Sequence, residues 1–265
     1  MRKVMHSEIL INKKVIVQSS SGDAPPEGGV FVIRNNQEFS IIFDNKPSLP
    51  AIISLIRMLR STAGTMSLTG HNLNLEKQPP QSAFITIARM ALHVLENEQD
   101  AKFNSRLELF SINNLDNLQI PEELMPFARL NLLGKDVPSA LMQVVDANID
   151  NLVSIGQTML MRLCFLSLPR TFLWPEATIQ KGDTLDKCLP KDAEYWLSII
   201  YETAFALKLP LYHHGTIRIA GIVSGDTYLP FHRLIYPLAP ASDRPHNYRV
   251  LSVACVTDHD NEPII

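Results

Sequence analysis

Two adjacent histidines, His213 and His214, are the residues whose type most directly suggests chemistry. Imidazole nitrogens bind metal ions and carry protons near neutral pH. Successive side chains of a β-strand point to opposite faces, so these two histidines cannot easily share one metal ion. A cross-strand site that adds His232 is an alternative, but metal sites usually combine cysteine, histidine and carboxylate ligands. The favoured interpretation is a pair of polar residues close to a turn that precedes a sheet.

A tryptophan and two arginines form a second group of candidates. Trp196 lies in the clearest amphipathic helix of the sequence, where an aromatic residue is most often part of the core. Arg218 and Arg233 lie in the strands that close the chain. One buried arginine in a pocket would point to an anionic ligand, whereas an exposed pair would only solubilise the sheet. With His213, these residues form the predicted ligand-binding set.

The common signatures of nucleophilic catalysis and nucleotide binding do not occur in this sequence. There is no GxSxG motif, and the glycine-containing stretch 19–29 lacks the GK[ST] ending of a P-loop. Cys188 has no evident general base near it in the sequence. Glu194 and Glu202 are too far apart on one helix for a carboxylate dyad, and we expect both to face solvent. The sequence therefore assigns no catalytic residue, no metal site and no cofactor.

Composition limits the classes of function. The chain of 265 residues is 46% hydrophobic and 19% charged, which suits two modest globular domains. Its formal net charge of −3 argues against a nucleic-acid-binding protein, which usually carries a strongly basic surface. The 3 cysteines include no CxxC pair, so a zinc ribbon or a thioredoxin-like redox site is not expected.

Targeting signals are also lacking. The first seven residues include basic side chains but no apolar stretch follows them, so no signal peptide is expected. No window approaches the roughly 20 uninterrupted apolar residues that a membrane-spanning helix needs. The sequence therefore predicts a cytoplasmic protein without a membrane span.

The pattern of elements predicts an α+β fold. In the first half, alternating apolar residues indicate a hairpin of strands 30–34 and 39–43, followed by helices near 48–60 and 82–97. The polar stretch 113–119 marks the predicted boundary. Residues 1–112 would form an N-terminal α+β module of unknown type, and residues 113–265 a second domain.

In the second half, short helical segments and strands surround one long helix, 192–208, in which Trp196 faces inward. Helices are predicted at 121–133 and 138–153. The predicted strands are 158–168, 171–176, 216–223, 228–238 and 248–257. The last three should form an antiparallel meander that closes the chain.

Two short motifs accompany this order of elements. Residues 182–190 read GDTLDKCLP and resemble the G-small-x-L-x-x-x-L-P segment of many PAS domains. Residues 231–238 read FHRLIYPL and resemble the R-x-L-x-P-L strand of a PAS subfamily frequent in alphaproteobacteria. The resemblance covers residues 137–257, and the first half matches no family. It implies a PAS-like antiparallel sheet with flanking helices.

The PAS resemblance implies a non-catalytic sensory or regulatory protein that binds a small ligand or a protein partner. No flavin-binding cysteine motif is present, so light sensing is not implied. Pairing with a second copy of the chain is plausible, with the open face of the sheet and the helix at 138–153 as contact surfaces. The alternatives are a structural or adaptor protein without a ligand, and an enzyme that uses His213, His214 or His232.

Overall fold

The computed structural model contains two β-sheets with helices between them. It describes residues 6–12, 15–19, 25, 27–60, 62–70, 73–97, 103–110, 117–129, 152–158, 160–168, 179–218, 228–238, 249–257 and 263–264. Together these elements form an α+β fold that includes an antiparallel sheet with flanking helices. This confirms the predicted fold class.

The first sheet is built from the N-terminal part of the chain, with the strand order β2-β1-β3-β4-β5-β6. Its strands are β1 His6–Asn12, β2 Val15–Ser19, β3 Gly29–Asn35, β4 Glu38–Phe43, β5 Thr65–Gly70 and β6 Leu73–Gln78. Neighbouring strands are antiparallel except β4 and β5, which pair in parallel. A parallel pair needs a crossover, and the first helix of the chain supplies it.

The predicted hairpin of the first half is confirmed. Strands β3 and β4 pair antiparallel, and Phe39, Ile41 and Phe43 alternate onto the buried face as their spacing indicates. The sequence indicates no strand in the stretch 64–80 between the two predicted helices, and here the structure differs. This stretch contains β5 and β6, in which only Met66 and Leu68 are fully buried, so the apolar alternation is too short to stand out.

The three long helices occupy the space between the two sheets. The long ones are α1 Leu49–Leu59, α2 Pro80–Glu96 and α5 Lys191–Leu207, and the short ones are α3 Met125–Ala128 and α4 Leu185–Cys188. Helices α1 and α2 pack on the first sheet, and α5 packs on both of them from the other side. The predicted helix at 192–208 is therefore confirmed within one residue at each end.

The polar side of α5 is not a solvent-exposed surface, so the expectation that Glu202 faces solvent is wrong. The Glu202 side chain is 0% exposed and contacts Arg57 of α1 and Arg60, the residue that follows α1. Ser198 is buried too, whereas Glu194 is half-buried and pairs with Lys191 near the start of the helix. The helix is covered on one side by α1 and α2 and on the other by the second sheet, so an outward side does not exist along most of its length.

The second sheet has the strand order β7-β10-β11-β12-β8-β9, with β13 Pro263–Ile264 paired to β12. The other strands are β7 Phe103–Leu109, β8 Leu152–Gln157, β9 Leu163–Ser167, β10 Leu211–Ile217, β11 Leu229–Leu238 and β12 Arg249–Thr257. Every pair is antiparallel. The last three strands form an antiparallel meander as predicted, but the first of them is Leu211–Ile217 and overlaps the predicted 216–223 only at its end. Residues 219–223 lie outside the described residues.

The two faces of this sheet are covered differently. One face packs on α5 and belongs to the main core, which continues through α1 and α2 to the first sheet. On the opposite face, a smaller apolar cluster joins Leu234, Val253 and Tyr236 to residues of the 117–129 segment, including Leu124 and Phe127. Part of the sheet face that was expected to be an open contact surface is therefore covered by the chain itself.

The boundary predicted between residues 112 and 113 stays a prediction. Strand β7 precedes it in the sequence, yet β7 pairs with β10 along its whole length. The helix predicted at 138–153 and the strand at 171–176 lie outside the described residues, except that Leu152 begins β8. None of the described helices combines the length and apolarity needed to cross a lipid bilayer.

Candidate functional site

Trp196 lies at the centre of the contact between α5 and the second sheet. Its side chain is fully buried and stacks on Phe103 of β7, with ring centroids 4.4 Å apart and planes inclined by 12°. The indole Nε1–H donates a 3.1 Å hydrogen bond to Oγ of Ser105, also on β7. Phe231 of β11 meets the indole edge-on, with centroids 5.3 Å apart. Strands on both sides of β10 therefore fix the position of this tryptophan.

His213 and Arg233 face the same indole from two neighbouring strands. They are directly opposite each other in the register of β10 and β11, so their side chains lie side by side on one face of the sheet. The His213 ring is 5.2 Å from the Trp196 ring, and the Arg233 Cζ atom is 4.9 Å from it. Three of the four predicted ligand-binding residues thus meet at one place.

Four polar atoms of His213 and Arg233 have no hydrogen-bond partner among the described residues. His213 is 0% exposed, and neither Nδ1 nor Nε2 has a hydrogen-bond partner in the structure. The Nε and Nη1 atoms of Arg233 are also shielded from solvent and have no hydrogen-bond partner. Among the described residues, no carboxylate forms an ion pair with Arg233. Buried polar groups are nearly always paired, so this cluster calls for an explanation.

Burial also determines the charge state of the group. It lowers the pKa of His213 well below the ordinary histidine value, and the nearby charge of Arg233 lowers it further. His213 is therefore neutral at pH 7, with one N–H donor and one acceptor nitrogen. Burial lowers the pKa of Arg233 as well, but a guanidinium remains charged at neutral pH. The site carries one positive charge.

Arg218, the fourth predicted ligand-binding residue, is not part of this cluster. It follows the end of β10, five residues beyond His213, which corresponds to about 16 Å along an extended strand. Its guanidinium lies over the ring of Tyr228, with Cζ 6.0 Å from the ring centroid. The structure thus separates the two arginines that the sequence grouped together.

His214 and His232 lie on the opposite face of the sheet from His213. Their rings are nearly parallel, with centroids 6.3 Å apart, and the ring of Tyr212 stacks on His214 at 4.8 Å. The Tyr212 hydroxyl lies 2.6 Å from Nδ1 of His232, and it donates a 2.8 Å hydrogen bond to the carbonyl oxygen of Gln119. His214 Nε2 lies 3.3 Å from the Glu108 carboxylate. The three histidines therefore do not form one site.

The chemistry available on this second face is limited by the state of its cysteine. Cys255 is directly opposite His232 in the register of β11 and β12. Burial, together with the charge of Glu123, raises the pKa of the Cys255 thiol to about 12. A thiol in this state is a poor nucleophile, because the thiolate is the reactive form. The described residues contain no group of three or more histidines, cysteines and carboxylates arranged to hold a metal ion.

Sequence reasoning missed the residues that hold Trp196 in place. Phe103, Ser105 and Leu107 alternate with polar residues in β7, a period of two that indicates a strand. Gly215 is a further requirement of the site. A Cβ atom at this position would lie 2.0 Å from the backbone oxygen of Asn104, so only glycine lets β7 approach β10 this closely beside the two histidines.

Comparisons with known proteins gave no relative: no protein-family model matches the chain, and searches of curated proteins and of solved structures found no match.

Proposed function

We propose that this protein is a non-catalytic, cytoplasmic sensory or regulatory protein that binds a small ligand between α5 and the second sheet, in a PAS-like domain. The observation that carries the proposal is that His213 and Arg233 meet at Trp196, and that polar atoms of both have no partner among the described residues. A ligand with complementary polar groups would satisfy them.

The order of elements supports the PAS resemblance on which the sensory role rests. Strands β8 and β9 come first, then the short helix α4 and the long helix α5, then the antiparallel strands β10, β11 and β12. The two motifs that carry the resemblance fall on α4 with its flanking turns and on β11. Both border the face of the sheet on which α5 packs.

A ligand explains the cluster better than a core filled only by side chains. Leaving a buried donor unpaired costs about 1–3 kcal/mol, and more for a charged group. The contact of Arg233 with the Trp196 ring returns about 2 kcal/mol and satisfies none of the N–H groups. In a protein without a ligand, an apolar residue of similar size at position 233 would be more stable. The unpaired polar atoms of His213 and Arg233 therefore lower the stability of the fold unless a ligand binds to them.

Helix α5 offers a path by which occupancy could affect the rest of the molecule. Its Trp196 contacts the sheet side, and its Glu202 contacts Arg57 of α1 and Arg60 just after α1 on the other side. A shift of α5 on ligand binding would change this contact with the N-terminal part of the chain. We propose that the signal passes by such a contact, to a protein partner or to a second copy of the chain.

Native mass spectrometry of the full chain purified from its own host tests the proposal. We expect a bound small molecule in the wild-type protein and in an Arg218→Met control, and its loss in an Arg233→Met variant. Circular dichroism would verify that each variant is folded. A wild-type protein that carries no small molecule, under conditions that preserve non-covalent complexes, would contradict the proposal. Retention of the molecule by Arg233→Met would contradict the site.

A further inference from the structure

We infer that the ligand of this site is a small organic monocarboxylate, whose carboxylate pairs with the Arg233 guanidinium and whose apolar part packs against the aromatic rings around it. This inference rests on the proposed function and names the chemical class of the ligand. It is carried by three properties of the described residues: an unneutralised cation, a neutral histidine beside it, and an aromatic surrounding.

Arg233 is a cation without a carboxylate partner among the described residues. Arg233 pairs in register with His213 on one side and with Ala254 on the other, and neither residue bears a negative charge. Its guanidinium contacts the rings of Trp196 and Phe231, with Cζ 4.9 and 6.0 Å from their centroids. Arg233 as a whole is only partly buried, but its Nε and Nη1 atoms are shielded from solvent and have no hydrogen-bond partner among the described residues, so a counter-ion would relieve an unfavourable unpaired charge. The ligand is therefore an anion.

The charge of the site selects a monoanion. Arg233 supplies one positive charge, and His213 adds none because its pKa lies well below neutral pH. A carboxylate neutralises this single charge. A phosphate dianion would leave an excess negative charge in surroundings of low polarity, where uncompensated charge is costly. Arginine and carboxylate groups also match in shape, because a planar guanidinium can donate two parallel hydrogen bonds to one carboxylate.

His213 provides the second polar contact. In its neutral form the imidazole has one N–H group, and this donor has no partner among the described residues. Cross-strand neighbours have Cβ atoms about 5 Å apart, so a carboxylate on Arg233 is within reach of the His213 ring. One carboxylate can thus satisfy both side chains. A sulfate or phosphate could make the same contacts. What distinguishes these ions from a carboxylate is their additional negative charge.

The remaining surroundings favour an organic body over a bare ion. The rings of Trp196, Phe103 and Phe231 meet at this point, and Leu229 and Ile235 lie on the same face of β11. Small-molecule sites typically combine an apolar lining with a few polar groups that fix the orientation of the ligand. Aromatic faces and edges suit a flat apolar group attached to the carboxylate.

Calorimetric titration of the full chain, after extensive dialysis, tests this inference with matched pairs of probes. The probes are acetate and benzoate, each compared with its uncharged amide, and inorganic phosphate and sulfate. We expect benzoate to bind more tightly than acetate, and each amide to bind at least about tenfold more weakly than its acid. Arg233→Met should abolish binding, Arg233→Lys should retain part of it, and Arg218→Met should leave it unchanged.

The outcomes separate this inference from the proposed function. Equal binding of an acid and its amide, tighter binding of phosphate or sulfate, or no binding of either carboxylate at millimolar concentration would overturn the monocarboxylate. If native mass spectrometry then showed a bound neutral molecule that Arg233→Met releases, the proposed function would stand without this inference. Absence of any bound molecule together with absence of carboxylate binding would overturn both.

Discussion

Arg57 and Glu202 are 145 positions apart in the chain, and one carboxylate oxygen of Glu202 accepts hydrogen bonds of 3.0 and 2.8 Å from Nε and Nη2 of Arg57. The Arg60 guanidinium pairs with the other oxygen of the same carboxylate. Glu202 is 0% exposed and Arg60 is 9% exposed, whereas Arg57 is 37% exposed, so the carboxylate and one of its two cations are shielded from solvent. One buried carboxylate therefore holds two cations.

Glu202→Gln should be among the most destabilising single changes in the protein. The amide has the shape of the carboxylate but no charge, so two guanidinium groups would remain without a counter-ion. Breaking a buried ion pair in this way costs about 3–5 kcal/mol. Glu38→Gln is the matched control, because Glu38 is 59% exposed and lies 3.8 Å from Lys77, and its loss should cost less than about 0.5 kcal/mol. Similar urea midpoints for the two variants would contradict the buried triad.

Trp196→Ala should also be costly for the fold. It removes a fully buried indole, its stacking on Phe103 and its hydrogen bond to Ser105, and it leaves a cavity. The expected loss of stability is about 3–5 kcal/mol. Trp196→Phe keeps an aromatic ring but leaves the Ser105 hydroxyl without this partner, and should cost less than the alanine change. A Trp196→Ala protein with wild-type stability that loses its bound molecule would make Trp196 a residue of the pocket alone.

Stability should fall as the pH is lowered below about 6.5, the ordinary histidine pKa. Burial, more than the neighbouring charges, lowers the folded-state pKa values of both His213 and His232. The unfolded chain therefore takes up protons first as the pH falls, and the folded state loses stability until the pH passes below its own pKa values. Each such histidine contributes a slope of up to about 1.4 kcal/mol per pH unit.

Urea unfolding between pH 7.5 and 5 checks this expectation. His213→Leu removes one of the two groups and should make the pH dependence less steep. If the His213→Leu protein showed the same slope as the wild type, His213 would not be the buried neutral group described above.

The 117–129 segment should be held to the second sheet by two tyrosine hydroxyls. Tyr212 donates to the carbonyl oxygen of Gln119 at 2.8 Å, and Tyr236 donates to that of Phe127 at 2.9 Å. Replacing both tyrosines with phenylalanine should cost about 1–3 kcal/mol in total, since each change removes a hydrogen bond to the segment and the Tyr212 change also removes its contact with His232 Nδ1. Hydrogen exchange should become faster in 117–129 while α1 stays protected. Unchanged exchange there would mean that apolar packing alone fixes the segment.

The sequence predicted those parts of the fold that local periodicity determines. The alternation of Phe39, Ile41 and Phe43 follows directly from one buried sheet face, and it predicts this strand correctly. The long helix containing Trp196 was likewise found within one residue. In both cases the pattern of neighbouring residues along the chain is enough to indicate which side chains are buried.

Glu202 shows where this reasoning fails. A polar residue on the opposite side of an amphipathic helix is expected to face solvent, and only the packing of α1 on α5 makes that side an interior one. The pairing of Glu202 with Arg57 joins distant parts of the chain, so no local pattern indicates it. The same is true of the site: the side-by-side position of His213 and Arg233 depends on strand register, and the separation of Arg218 depends on where β10 ends.

The position of β7 has a consequence for synthesis of the protein on the ribosome. Leu109 of β7 pairs with Leu211 of β10, so β7 has no partner strand until roughly a hundred further residues have been synthesised. At typical elongation rates this delay is on the order of 5–20 s. During that time Phe103 and Ser105 have neither Trp196 nor β10 to contact, and α2 is the one long-helix neighbour already available. The nascent chain thus carries an unpaired strand edge that ribosome-associated chaperones are suited to cover.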